Sequence, residues 1–208
     1  MSHSQIPLPF EDRPSTDGFF FSKEQQPVWQ YFENFPESLQ GGSIYVFGAS
    51  KSGKTHLAKI FIKNGAREVL NLDDVFALSH KEVAVLDSHW SDQDLFHMVN
   101  MLLNSKKKFI FFSSQKADDY KLPDLKSRLK ILGFKEILSP SEEFMTVLLL
   151  KGFADFQIRV DSTVIHFLIH RIERRYDMID RVIKTLNEAS LILKKPITIP
   201  LAKEILKL

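Results

Sequence analysis

Gly48, Gly53, Lys54 and Thr55 stand in the run GASKSGKT: a Gly, four free positions, then Gly-Lys-Thr. Those residue types at that spacing suit one chemistry, holding the phosphates of a nucleotide. Gly48 and Gly53 permit backbone angles and a close approach that a Cβ would block, so successive N–H groups can turn towards phosphate oxygens. Lys54 can reach the β- and γ-phosphates, and the Thr55 hydroxyl can ligate Mg²⁺. Ser50, Ser52 and His56 complete the candidate nucleotide contacts. The bland alternative is a chance Gly/Ser/Lys turn, and the flanking elements decide between the two.

Before the loop, Ser43, Ile44, Tyr45, Val46 and Phe47 make the short, β-branched and aromatic run of a buried strand; residues 56–62 read as a helix. The loop therefore lies at a strand-to-helix junction, where the new helix adds its positive N-terminal end to the same site. Further strands are expected over residues 67–72, 82–87, 109–113 and 134–138. Asp87 ends the third strand, where a carboxylate is needed to hold Mg²⁺; an Asp that merely opens a turn is the alternative. The next residue is Ser88, a poor base at neutral pH, so slow hydrolysis by the chain itself is expected. Gln115 closes the fourth strand at the sheet edge where ligands bind in open α/β folds; it either orients water or the γ-phosphate or simply caps the strand.

Helices are expected over residues 26–36, either as packing on the sheet edge or as part of an adenine wall, and from the caps Ser91 and Asp94 through Leu103. Another runs over 123–132, where Leu125, Leu129 and Leu132 recur at helical spacing, with Arg128 on a different face. By composition alone such an Arg is a surface charge. Ser139, Pro140, Ser141 and Glu142 read as a capping box with Pro at the first helical position, opening a further helix to about Phe156. From Asp161 on, only helices are expected, over 164–175, 178–193 and after Pro200, which marks a boundary near 157–161.

The 208 residues have ample length for a real core. A net charge of +2 gives no support to broad electrostatic binding of nucleic acid, and the eighteen Phe read as packing. With no Cys there are no disulfides, zinc-thiolate sites or thiol nucleophiles. Neither a membrane-length apolar run nor a secretion signal is present, so a soluble, cytoplasmic protein is expected. Residues 1–18 read as an extended, Pro-bearing tail containing QIPLPF. This segment resembles the short motif by which bacterial proteins dock on the replicative sliding clamp. Gln5 would hydrogen-bond in a small polar pocket, while Leu8 and Phe10, held extended by Pro9, would fill an apolar one. Alternatively, Leu8 and Phe10 fold back on the domain.

Taken together, GASKSGKTHL, DLFHMVN, LPDLKSRL, ITIPLAKEILKL and the tail QIPLPF resemble the Hda proteins, paralogues of the replication initiator DnaA within the AAA+ superfamily. The resemblance implies an α/β AAA+ P-loop fold, a five-stranded parallel sheet sandwiched by helices, followed by a small all-helical lid. It divides the chain into tail 1–18, base 19–157 and lid 158–208. It further implies bound ADP or ATP with Mg²⁺ and docking on the DNA-loaded sliding clamp. It also implies stimulated hydrolysis of DnaA-bound ATP, a negative control of replication initiation. Arg128, in the SRL of LPDLKSRL, takes the arginine-finger position and would act in trans. DnaA's DNA-binding domain has no counterpart, so sequence-specific DNA binding is not expected, while homo-oligomers are allowed. Gln115 stands where an acidic sensor often lies. Asp177 occupies a lid position that often holds an Arg, with Arg174 and Arg181 one helical turn either side. The alternative function is a self-sufficient P-loop ATPase that loads or recruits another replication protein.

Overall fold

The computed structural model describes residues 23, 26–79, 81–87 and 90–208. Gln5, Leu8, Pro9 and Phe10 of the tail, and Ser88, lie outside that set. The chain forms two units, one running to Leu138 and the other over residues 139–208.

In the first unit strands and helices alternate: α1 (Gln26–Glu33), β1 (Ile44–Gly48), α2 (Lys54–Lys63), β2 (Arg67–Glu68), α3 (Leu72–Ala77), β3 (Val83–Leu86), α4 (Asp92–Asn104), β4 (Lys108–Ser113), α5 (Pro123–Lys130) and β5 (Gly133–Ile137). The strands form one parallel sheet in the order β2-β3-β4-β1-β5. From β1 the chain crosses to the far edge, works back through β3 and β4 until it lies beside β1 again, and adds β5 on the other side. This brings the carboxyl ends of β1, β3 and β4 to one edge, with β4 between the other two.

Side chains alternate between the two faces of the sheet. Tyr45, Ala84, Leu86, Phe109 and Phe111 share one core with Leu95, Met98, Val99 and Leu102 of α4 and with Leu125 and Leu129 of α5. On the opposite face Phe112 meets Phe61 of α2, with ring centroids 6.3 Å apart. Helices on both faces explain why the central strands are apolar runs rather than alternating, as in β3, where every residue is buried, while the edge strands β2 and β5 carry charged residues. Much of the aromatic content is packing, as expected: Phe61, Phe109, Phe111, Phe112 and Phe153 are fully buried.

The second unit is helical: α6 (Glu142–Asp155), α7 (Ser162–Ile169), α8 (Tyr176–Leu193) and α9 (Ile199–Leu206). Met145, Leu149 and Phe153 of α6 pack with Ile165 and Leu168 of α7 and with Ile179, Val182 and Leu186 of α8. The sequence changes character near residue 157, whereas by packing the second unit already includes α6.

Two elements differ from expectation for local reasons. The strand expected over 67–72 stops at Glu68, because Asn71 starts α3 instead. Its Oδ1 accepts the Asp74 N–H at 3.0 Å, and Asp74 Oδ2 accepts the Asn71 N–H at 3.1 Å, a reciprocal cap that outweighs the strand propensity of Val69 and Leu70. The helix expected over 164–175 ends at Ile169, and Arg175 already precedes α8.

Candidate nucleotide site and exposed arginine

The loop between β1 and α2 is shaped by its two glycines. A Cβ on Gly48 would lie 2.5 Å from Ser52 Oγ and 3.2 Å from Ile137 Cβ, so a side chain there would displace the Ser52 hydroxyl and press on Ile137. Gly53, at φ 91° and ψ 11°, takes the left-handed conformation that starts α2. Ser91, Ser141, Asp161 and Thr198 cap α4, α6, α7 and α9 with their side chains, but no side chain caps α2. The first rung of α2 is the Leu57 N–H to the Gly53 carbonyl at 2.9 Å. The N–H groups of Lys54, Thr55 and His56 precede that ladder, at the positive end of the helix, where an anion is favoured.

Lys54 is 7% exposed, and its Nζ donates to the carbonyls of Gly48 and Ala49 at 2.8 and 2.9 Å. The ammonium is thus held against the loop's own backbone. Burial depresses its pKa, and the nearby Asp87 carboxylate partly offsets that. Ser52 is buried, His56 half-buried, and Ser50 exposed at the tip of the loop.

Thr55 and Asp87, 32 residues apart in sequence, meet at the junction of α2 and β3: Thr55 Oγ1 donates to Asp87 Oδ2 at 3.0 Å. A hydroxyl beside a carboxylate, at the start of the helix that follows the glycine loop, is a hard-oxygen donor set of the kind Mg²⁺ takes, and the residues fit that ion. Beside this pair lies a cavity of about 200 Å³ whose walls include Ile62, Leu70, Val85 and Trp90, with Lys59 and Glu68 among its polar lining.

At the end of β4 a lattice of hydroxyls holds the Gln115 loop. Ser113 Oγ accepts the Gln115 N–H at 3.0 Å and shares a proton with Tyr120 Oη at 2.7 Å, while Tyr45 Oη donates to the Gln115 carbonyl. Burial pushes the Tyr45 hydroxyl strongly up in pKa, and Tyr120 moves the same way for the same reason. Tyr45 and Tyr120 are absent from the sequence-derived site. The available signal was a Tyr on the strand feeding the phosphate loop, since a hydroxyl in an apolar core must find a partner.

Arg128 lies in the last turn of α5, exposed, in a groove lined by Phe96, Asp124, Ser127 and Ile131. That groove shares no residue with the cavity at Thr55 and Asp87. Neighbouring cations of α5 are tied down: Lys126 Nζ donates to the Asp118 carbonyl at 2.8 Å, and Lys130 Nζ pairs with the Asp118 carboxylate at 2.5 Å. Arg128 has no such partner among the described residues. In the second unit Arg174 pairs with Glu142, and Arg175 with Glu173 and Asp177; Arg181 is exposed on α8 and forms no ion pair among the described residues.

Among the described residues no helix is long and apolar enough to cross a membrane. Comparison with known proteins gives three kinds of likeness. Residues 148–206 match the family model described as Hda, lid domain. An uncharacterized protein of Haemophilus influenzae is 23% identical over 232 aligned residues, which cover 99% of this chain and 100% of that one. Among solved structures, domain III of the Thermotoga maritima replication initiation protein DnaA superposes with a TM-score of 0.64 at 16% identity, over 91% of this chain and 93% of its own. The Thermotoga maritima RuvB Holliday junction branch migration motor gives 0.60 at 12%, over 88% and 68%. The replication initiator DnaA bound to AMPPCP and single-stranded DNA gives 0.57 at 18%, over 85% and 66%. At such identities the structural likeness speaks for the fold, and the lid match speaks for the lineage of the second unit. The chain thus has the AAA+ P-loop fold, and its residues 148–206 match the Hda lid domain.

Proposed function

We propose that this protein is a nucleotide-holding adaptor of chromosome replication, whose chemical effect falls on a partner's ATP. It keeps an adenine nucleotide, ADP or ATP with Mg²⁺, on Gly48, Ser50, Ser52, Gly53, Lys54, Thr55 and His56, with Asp87 on the metal and Gln115 at the phosphate edge. It anchors on the DNA-loaded sliding clamp through Gln5, Leu8, Pro9 and Phe10. There it presents Arg128 to ATP bound by a DnaA-type initiator, stimulates its hydrolysis and so restrains initiation.

The observation that carries this reading is the state of Arg128. A guanidinium that is exposed and has no ion-pair partner among the described residues, on a helix whose lysines are both engaged, is available to a phosphoryl group brought by another molecule. Fixed near a transferring phosphoryl group, it would neutralise developing charge, an effect on the order of 10³ to 10⁵ in rate in other systems. The Hda-type lid and the resemblance to DnaA, one structure of which holds AMPPCP, support the choice of nucleotide and of partner.

The test combines DnaA loaded with labelled ATP, clamp assembled on DNA, and this protein, and follows loss of the label as ATP. Acceleration is expected, to be abolished by Arg128→Ala and reduced by Gln5→Ala with Leu8→Ala. No acceleration, or undiminished acceleration with Arg128→Ala, would sink the proposal. The contact between Thr55 and Asp87 favours a second reading, a self-sufficient ATPase that loads or recruits another replication protein. Sustained turnover by the isolated protein, lost in Lys54→Ala, would establish that one instead.

A further inference from the structure

We infer that the last turn of α7 holds a divalent transition-metal ion of the Zn²⁺, Ni²⁺ or Cu²⁺ class between His166 and His170. The two residues are four apart, so their side chains share one face, one turn above the other. Both are exposed. The core of the second unit takes Val164, Ile165, Leu168 and Ile169 from the other side of the same helix and makes no use of either imidazole.

The two rings already stand close to where a shared ion needs them. Their centroids are 4.4 Å apart, with planes inclined at 37°. A metal–nitrogen bond of about 2.0–2.1 Å sets an imidazole centroid roughly 3.2 Å from the ion, so two neighbouring ligands at about 90–109° keep their centroids roughly 4.5–5.2 Å apart. The observed spacing lies at the near edge of that range. The second observation is the state of His170, whose Nδ1 lies 2.9 Å from the His166 carbonyl. A carbonyl only accepts, so Nδ1 carries the proton and donates it there, which leaves the lone pair of the neutral ring on Nε2. Ligating histidines have this arrangement: one ring nitrogen takes the metal while the other donates to a carbonyl or carboxylate, which fixes the ring and raises its basicity. Here the accepting carbonyl belongs to the other histidine of the pair, so one hydrogen bond ties the two ligands together.

Ligand type selects the ion. Imidazole suits Zn²⁺, Ni²⁺ and Cu²⁺, whereas Mg²⁺ takes oxygen and is matched instead by Thr55 and Asp87 in the first unit. Among the described residues no group of three or more His, Cys, Asp or Glu is placed to hold a metal, so the protein supplies two ligands and water the others. Half the ligand set of a closed structural site points to a dissociation constant of roughly one to a hundred micromolar. Two cations of the same unit are held to one side: Arg171 and Lys203 lie over the Phe167 ring, 5.4 and 5.6 Å from its centroid, and Phe167 is roughly 100° around the helix from His166. Because His170 is the residue that ends α7, the bound ion staples the final turn of the helix to its own cap before the chain enters α8.

A Zn²⁺ titration of the full chain, free of nucleotide and followed by NMR at the imidazole nitrogens, tests this, because the seven histidines report separately. Nitrogen resonances of His166 and His170 should move together along one binding curve in the range given above, and Mg²⁺ at the same concentrations should move neither. His166→Gln, read at His170, and His170→Gln, read at His166, should each weaken that curve at least tenfold; both positions are exposed, so the fold is kept. Zn²⁺ that leaves both rings unmoved, or moves only one, overturns the inference. So does a variant that binds at α7 as tightly as the unaltered protein, or an equal response to Mg²⁺.

Discussion

Tyr45→Phe isolates one hydrogen bond at the candidate site with little else disturbed. The ring of Tyr45 stacks on Phe111, with centroids 5.3 Å apart and planes at 13°, and meets Phe134 edge-on at 5.8 Å. Phenylalanine keeps both contacts and the buried area, as Tyr45 is only 1% exposed. What is lost is the donor to the Gln115 carbonyl. A partly buried carbonyl deprived of its donor costs about 1–2 kcal/mol, since desolvation is no longer offset. For a chain of this size that corresponds to a fall in Tm of roughly 2–8 °C. On the proposed reading the same carbonyl belongs to the loop that offers Gln115 to the nucleotide, so ADP affinity should fall several-fold beyond what the stability change alone would cause. Ser113→Ala removes the acceptor of the Gln115 N–H and part of the Tyr120 contact. Because all three hydroxyls act on one loop, the double variant should be less destabilised than the sum of the singles. Thermal and urea unfolding with ADP titration of the four proteins measures this. A Tyr45→Phe cost below about 0.3 kcal/mol, or strict additivity with Ser113→Ala, would show that the lattice does not hold the loop.

Two further outcomes follow from the same geometry. Thr55→Val keeps the shape but removes the hydroxyl from Asp87, so ADP affinity in EDTA should match the unaltered protein while the gain on adding Mg²⁺ shrinks by roughly tenfold, or about 1.4 kcal/mol; isothermal titration with and without Mg²⁺ decides, and an equal Mg²⁺ gain in both proteins refutes the metal role. Stability should also fall with rising pH above about 10, because burial raises Tyr45 and Tyr120 while the unfolded chain ionises at the ordinary tyrosine value. Between those values the unfolded state holds fewer protons, so their contribution is complete below pH 10 and is lost above it. Lys54, depressed by burial, acts in the opposite direction, so the measurement is the slope of stability against pH in Tyr45→Phe with Tyr120→Phe, which should be flatter than in the unaltered protein.

Local motifs made the strand, the loop and the helix that follows it legible in the sequence. Gly48, Gly53 and Lys54 lie within a few residues of one another, and the chemistry of each depends on its immediate backbone. The meeting of Thr55 with Asp87 was accessible for a related reason: a parallel strand buried on both faces is an apolar run, and the first polar residue after it must emerge at the carboxyl edge. Contacts that depend on distant partners were not legible. Tyr45 and Gln115 are 70 residues apart, and in the sequence Tyr45 is one more aromatic residue in a strand. Similarly, the apolar run of α6 announces burial without saying which unit buries it, and only its packing on α7 and α8 places it with the second. At Asn71 the competing signals were both present, and the capping pair prevailed over the apolar run before it.

Presentation of Arg128 depends on how its helix is held, because a guanidinium stabilises developing charge only if it is already in place. The start of α5 is fastened twice. Asp92 Oδ2, at the beginning of α4, accepts the N–H groups of Lys121 and Leu122 at 2.6 and 3.3 Å, and Tyr120 joins Ser113 at the end of β4. Leu125 and Leu129 anchor its inner face in the core, leaving Arg128 on the outside. The strand end that carries Gln115 to the carboxyl edge of the sheet is therefore also the one that fixes the approach to α5. On the proposed reading, nucleotide on the chain's own loop and the finger offered to a partner rest on the same few hydrogen bonds. Binding at the loop then has a purpose without turnover: it orders the edge from which α5 departs.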